Sequence, residues 1–156
     1  MDLVFRCAKL EDSRLLWEWR NDPVTRQSSR NQDIVPWESH QKWFAQSLLS
    51  TTRRIYLCQK GSQAVGMVRF DKLPGEAYEI SVNIAPEMRG RGIGAEVIRQ
   101  GTHFFVGSQL NAEEAEIRAV VNEQNPASQK AFKKAGFQIK DQALEGWITL
   151  VCARTD

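Results

Sequence analysis

Ile84-Ala85-Pro86-Glu87-Met88-Arg89-Gly90-Arg91-Gly92-Ile93-Gly94-Ala95 joins two segments of different period. Before it, Tyr78, Ile80, Val82 and Ile84 alternate with Glu79, Ser81 and Asn83, the two-residue repeat of a strand with one apolar and one polar face. After it, Ile93, Val97, Ile98, Gly101, Phe104 and Phe105 recur at helical spacing. Pro86 cannot extend the strand, so the stretch reads as strand, tight turn, helix. The first turn of a helix presents unpaired backbone N–H groups and roughly half a positive charge, which favours an anion. Glycines at 92 and 94 remove side chains that block a pyrophosphate, and Arg89 and Arg91 add charge from the flanks. A turn that needs glycine only for its backbone shape would read the same. Two other phosphate motifs are excluded. No lysine follows the glycines as a P-loop requires, and Gly90, Gly92 and Gly94 lie mid-chain at the wrong spacing for a dinucleotide GxGxxG turn.

Outward from this point the chain reads as β-α-α-β-β-β-α-β-α-β-β. Residues 3–7 form a strand. Asp12 and Ser13 cap a helix through Arg20, which Asn21-Asp22-Pro23 stops. Residues 26–33 read as a polar loop, and Pro36 opens a helix to about Leu49. Strands at 55–59 and 64–70 meet at Lys60-Gly61-Ser62. A strand at 115–121 precedes a helix over 126–135 that Gly136 ends in the left-handed conformation, and a strand or hairpin fills 137–153. The fold class expected is α/β of the α+β type, a mixed sheet with helices packed over it, as a single domain over residues 1–156.

Composition narrows the function. The 156 residues are 42% hydrophobic and 26% charged, which is ordinary for a globular chain. A net charge of +2 without a basic stripe argues against nucleic acid as partner. Cys7, Cys58 and Cys152 are widely spaced and form no CxxC or Cys/His cluster, so neither a metal nor a disulfide framework is expected. The start, MDLVFRCAKLED, lacks a signal-peptide pattern, and no apolar run nears the ~18 residues that span a bilayer. The expectation is a cytoplasmic protein without membrane contact.

Arg89-Gly90-Arg91-Gly92-Ile93-Gly94 fits the pattern [Q/R]xxGx[G/A]. Downstream follow Val120-Val121-Asn122-Glu123-Gln124-Asn125-Pro126-Ala127-Ser128 and Ala131-Phe132-Lys133-Lys134-Ala135-Gly136-Phe137. With these motifs, over residues 78–137, the chain resembles the GCN5-related N-acetyltransferase (GNAT) family. The resemblance implies a GNAT fold that binds acetyl-CoA at the turn after the fourth strand. Backbone amides of Arg91, Gly92, Ile93, Gly94 and Ala95, with Arg89, would hold the pyrophosphate. The strand edge at Val82 and Ile84 would pair with the pantetheine arm, as in strand addition. Asn125 and Ser128 would touch the arm or the adenosine end, although Asn125 before Pro126 also suits a helix N-cap. Glu79 would act as general base through water, with Ser81 ordering that water or the substrate; Glu79 reads equally as a strand residue in a surface salt bridge. Many relatives carry a tyrosine that protonates the departing thiolate. Phe132 stands in its place here and reads as packing that lines the coenzyme.

Four of the five tryptophans, Trp17, Trp19, Trp37 and Trp43, fall early, among Arg20, Asn21, Arg26, Arg30 and His40. Rings beside guanidinium groups suit a ligand with a flat ring and phosphates. Leu16-Trp17-Glu18-Trp19-Arg20-Asn21-Asp22-Pro23 and Trp37-Glu38-Ser39-His40-Gln41-Lys42-Trp43-Phe44 resemble the amino-sugar-nucleotide N-acetyltransferases of pseudaminic acid biosynthesis. That resemblance implies transfer to the 4-amino group of a UDP-linked 4-amino-4,6-dideoxy sugar, with Arg20 and His40 on the nucleotide and Asn21 also binding the acceptor. The same residues also read as core tryptophans, a dipole-complementing arginine and a buried histidine on the side of Trp43 and Phe44. A protein N-terminus or another small amine is the alternative acceptor, and a non-catalytic acyl-CoA-binding module the alternative outside enzymes. Family habit adds a homodimer as a further expectation.

Overall fold

The computed structural model describes residues 2–108 and 114–152. Strand β1 (Val4–Cys7) leads through a 3-10 turn at Leu10–Asp12 into helices α1 (Ser13–Arg20), α2 (Pro23–Gln27) and α3 (Trp37–Leu49). Strands β2 (Arg53–Lys60), β3 (Gln63–Leu73) and β4 (Ala77–Ile84) follow, then a 3-10 turn at Pro86–Met88 and α4 (Ile93–Ser108). The chain continues through β5 (Glu116–Asn122), α5 (Pro126–Lys134), β6 (Phe137–Leu144) and β7 (Trp147–Cys152). Among the described residues the strands form one sheet in the order β1-β2-β3-β4-β5-β7-β6. Only β4 and β5 pair parallel; the remaining pairs are antiparallel. This is the mixed, helix-flanked sheet that the sequence pattern implies. Among the described residues, no helix is long and apolar enough to cross a membrane.

The period-two pattern of β4 assigns the two faces. Register places Phe70 opposite Ile80 and Val68 opposite Val82, while Asp71 meets Glu79 and Arg69 meets Ser81. Opposed residues share a face. On the apolar face Phe105 of α4 stacks on Phe70 at 4.1 Å and meets Tyr78 edge-on at 4.9 Å. On the polar face Trp43 of α3 lies under the guanidinium groups of Arg53 and Arg69, at 5.1 and 5.5 Å. The sheet therefore has its main core under α4 and a mixed polar and aromatic layer under α1 and α3.

Three local expectations change. Asp12 does not cap α1 with its side chain. Its carboxylate accepts from the Lys9 N–H at 2.7 Å and from both terminal nitrogens of Arg6 at 2.8 Å, so it ties the first turn to β1. Pro23 does more than stop α1. It opens α2, where its fixed φ and missing N–H suit the first helical position, and Asp22 supplies the cap. Arg26 and Gln27 thus belong to a helix and not to the loop. The closing segment is a hairpin whose turn uses positive φ at Glu145 and Gly146; Ala153 lies outside the described residues. Gly136 has φ +103° and ends α5 as expected.

Gly101 sets how closely α4 sits on β3. A Cβ there would lie 3.1 and 3.2 Å from the Val68 methyls and 3.2 Å from the Phe5 ring. Gly101→Val should destabilise the protein by about 1–3 kcal/mol through overpacking, read as a lower urea midpoint at unchanged slope.

Candidate active site

The β4–β5 ladder is short. Ala77, Tyr78 and Glu79 pair with Glu116, Ile117 and Arg118, and there the pairing ends. Beyond it the strands part, and a cavity of about 840 Å³ occupies the opening. Val82 and Ile84 form one wall, Val120 and Asn122 the other. The turn before α4 and the first turns of α5 line one end, and Arg20, Arg69, Glu79 and Ser81 the other. The backbone edge of β4 from Ile80 to Ile84 has no ladder partner on the β5 side, the condition for an amide-rich ligand to add as a strand.

The glycines of the turn serve different ends. Gly90 and Gly92 have φ of +76° and +73°, a region that costs other residues about 1–2 kcal/mol. A Cβ on Gly92 would meet nothing within 4 Å, so the turn also leaves open space above its amides. At Gly94 a Cβ would make ordinary contact with that of Ala131, at 3.6 Å, so packing does not demand glycine there. The backbone reason and the ligand reason for glycine coincide at 92.

Of the residues expected to hold the coenzyme, Val82, Ile84, Arg89, Gly92, Ile93, Gly94, Ala95, Asn125, Ser128 and Phe132 line the cavity. Arg91 does not. Arg89 lines it, but its guanidinium is already engaged, bonding Asp22 and the Thr25 hydroxyl, both at 2.8 Å. Asn125 is a working N-cap that accepts from the Ser128 N–H at 3.1 Å, and its amide donates to Ser28 Oγ at 3.1 Å. Phe132 is 4% exposed and meets Phe137 edge-on, so it packs as expected.

Glu79 and Ser81 both face the cavity. Glu79 Oε1 lies 3.6 Å from Arg30 Nη2, so it is a cavity carboxylate and an ion-pair partner at once. Ser81 Oγ accepts from Arg69 at 3.4 Å, and Arg69 also binds Asp71 at 2.9 Å. Arg20 reaches the same end. Its Nη2 donates to the Asn31 carbonyl at 2.8 Å, while Nη1 is buried and has no hydrogen-bond partner among the described residues. Burial first, then repulsion from Arg69 and Arg26, pulls its pKa below the ordinary value. An unmatched guanidinium nitrogen is costly to bury, and Nη1 is closed off from the cavity that other atoms of Arg20 line.

The other two residues expected on the acceptor do not reach the cavity. Asn21 uses its whole amide on Val35, donating to the carbonyl at 2.9 Å and accepting from the N–H at 2.8 Å, and so fixes the chain ahead of α3. His40 is 4% exposed and packs between Trp37 and Phe44, at ring distances of 6.0 and 5.6 Å. Trp19 is also core, and Trp17 donates to the Val35 carbonyl at 2.7 Å. Trp19 and His40 are thus buried, while Trp17 and Asn21 are half-buried and bonded to Val35. Sequence reasoning also missed Arg69 and Trp147. Arg69 was discoverable from the β3–β4 register opposite Ser81. Trp147, whose ring lies 5.7 Å from the Arg30 guanidinium, reaches the cavity only through the β5–β7 pairing, which no local pattern announces. Among the described residues no cluster of His, Cys, Asp and Glu is arranged to hold a metal.

Residues 2–138 match the model of the acetyltransferase (GNAT) domain, and the chain belongs to that family. It is therefore an N-acetyltransferase by class, with acetyl-CoA as acyl donor, and the parted strands, free β4 edge and open glycine turn fit that donor. No curated protein matches it in sequence. In fold it is similar to a domain from Methanocaldococcus jannaschii DSM 2661, at 20% identity and TM-score 0.80, over 96% of this chain and 97% of that one. It is similar too to spermidine N-acetyltransferase from Vibrio cholerae in complex with CoA and spermine, at 14% identity and TM-score 0.82, over 96% and 92%. AAC(6')-Ib with ribostamycin and coenzyme A aligns at 14% identity and TM-score 0.82, over 99% and 94%.

His40 gives a pH test of its structural role. Burial holds its pKa below 6.5, against a weaker opposing contact with the Ser13 backbone. The unfolded chain then binds the proton more readily, so stability falls as pH drops below about 6.5. His40→Phe should flatten the loss of urea midpoint between pH 7.5 and pH 5 and leave both substrate KM values unchanged.

Proposed function

We propose that the protein acetylates a primary amine on an acceptor that also carries an anionic group, and that a nucleotide-linked amino sugar is the acceptor class. The observation that carries this reading is the gathering of three guanidinium groups, those of Arg20, Arg30 and Arg69, around the acceptor end of the cavity. Trp147 offers a ring face. Three guanidinium groups repel a polyamine or an aminoglycoside, the cationic ligands in two of the similar structures, and attract phosphate. With His40 in the core and Asn21 bonded to Val35, the nucleotide contact falls to Arg20, Arg30 and Arg69.

Acetyl-CoA supplies an electrophilic thioester carbonyl. For the amine to attack, it must lose a proton, and Glu79 is the carboxylate placed to take it through water. Ser81, held by Arg69, orders that water or the amine. Arg30 must swing from Glu79 towards the acceptor's anion, which exposes the base as the substrate seats. Phe132 has no proton to give the departing thiolate. A thiol pKa of roughly 8.5 makes thiolate a tolerable leaving group without one.

Release of free coenzyme A thiol from acetyl-CoA, measured over an acceptor panel, tests the reading. A UDP-4-amino-4,6-dideoxy sugar should turn over in preference to an N-terminal peptide, spermidine and an aminoglycoside. Preference for the peptide would move the acceptor to a protein N-terminus, and preference for spermidine would overturn the arginine argument. Arg20→Ala should raise acceptor KM about 10–100-fold, the loss of a charged hydrogen bond, without moving acetyl-CoA KM. Glu79→Gln should lower kcat by about 10²–10⁴ if the side chain is the base; an unchanged kcat over the pH range would remove it.

A further inference from the structure

Helix α2 buries none of its five residues, so it cannot be held in place by a core. Polar contacts hold it instead, and they run to both ends of the cavity. On the coenzyme side Asp22 Oδ2 binds Arg89 Nη1 at 2.8 Å, and the Thr25 hydroxyl accepts from Arg89 Nη2 at 2.8 Å and donates to Asn83 Oδ1 at 3.3 Å. Ser28 accepts from Asn125, the cap of α5. On the acceptor side of the same segment, Arg30 meets Glu79 and the Asn31 carbonyl accepts from Arg20. Residues 22–31 thus form a strap between the glycine turn and the acceptor end.

Arg89 is the first residue of the [Q/R]xxGx[G/A] pattern, yet both its terminal nitrogens point to the strap. A guanidinium spent in this way is not free to grip a pyrophosphate with the same two nitrogens. Asp22 is not part of the cavity wall. Burial pushes its carboxyl up, but the hydrogen bonds from Arg89 and from the Thr25 N–H outweigh this and leave it below its ordinary value, as a carboxylate.

We propose that Asp22 and Arg89 are positioning residues whose ion pair couples the coenzyme turn to the acceptor strap, so that coenzyme bound at the turn orders residues 22–31 and, with them, Arg20 and Arg30. Ordering the turn fixes the Arg89 backbone, and the ion pair passes that restraint to α2. The coupling rests on the reading of the turn as the coenzyme site. Its consequence is that the acceptor seat is complete only once the donor is in place.

Hydrogen exchange of peptides covering residues 22–31, with and without coenzyme A, tests this on the intact chain. Asp22→Asn removes the charge but keeps an N-cap, because asparagine also accepts from the N–H groups of Val24 and Thr25. In the wild type, coenzyme A should slow exchange in the strap by about fivefold or more; in Asp22→Asn it should bind within about twofold of wild-type affinity yet slow the strap less than about twofold. Thr25→Val, which removes the hydroxyl between Arg89 and Asn83, should weaken the protection in the same direction. Equal protection in wild type and Asp22→Asn would overturn the coupling, as would a wild type that binds coenzyme A without protecting the strap. A wild type that does not bind coenzyme A at all would fail the coenzyme assignment itself, and the coupling with it. Acceptor kinetics give an independent check, since Asp22→Asn should raise acceptor KM with acetyl-CoA KM unmoved.

Discussion

The parallel ladder between β4 and β5 lasts three residues, and the cavity opens where it stops. A parted pair of strands leaves backbone N–H and C=O groups facing a gap, and such groups are costly to bury without partners. The fold tolerates the gap because it is wide and open enough for a ligand to supply the missing bonds. Lining residues follow from that geometry: alternate side chains of β4 point to α4 or to the acceptor end, and the backbone between them faces the gap. The glycine turn follows as well, since Pro86 ends β4 just where the chain must reverse into α4.

Two sources of positive potential meet in this gap, and they differ in kind. At the turn it comes from backbone amides and the helix dipole, which need no side chain and cannot titrate. At the acceptor end it comes from the arginines at 20, 30 and 69, opposed by Glu79 and by an Asp71 that Arg53 and Arg69 share. On the proposed reading, the arrangement separates two anionic ligands on either side of one neutral region, where the thioester and the amine meet. With Asp71 spent on Arg53 and Arg69, one cavity-lining carboxylate among guanidinium groups is a poor trap for a polycation and a workable base for one amine.

What the sequence discloses is what local periodicity encodes. The alternation at 78–84, the helical spacing after Ile93 and the glycines at 90, 92 and 136 all express backbone requirements over a few residues, and each was legible. Most positions named for the coenzyme line the cavity, because they sit within two short motifs. Asn21 and His40 were misjudged for one reason: a polar residue that serves the fold and one that serves a ligand look alike until their partners are known. Asn21 finds both partners on Val35, and His40 finds aromatic rings one turn of α3 either side. Arg69 and Trp147 were missed for the opposite reason. They reach the cavity by sheet register, which joins residues far apart in the chain.

Helix α2 is the clearest case of structure that sequence pattern conceals. Five residues with no buried side chain have no periodicity to detect, and Pro23 after Asn21-Asp22 reads as a stop signal. The same Asp22 that ends one helix begins the next, and its carboxylate faces Arg89, 67 positions further along the chain, across a loop closed by the sheet. An element without a core has only its polar contacts to define its position, so it responds to whatever changes those contacts. A segment of that kind, placed between the donor turn and the arginines of the acceptor end, is suited to let one ligand set the stage for the other.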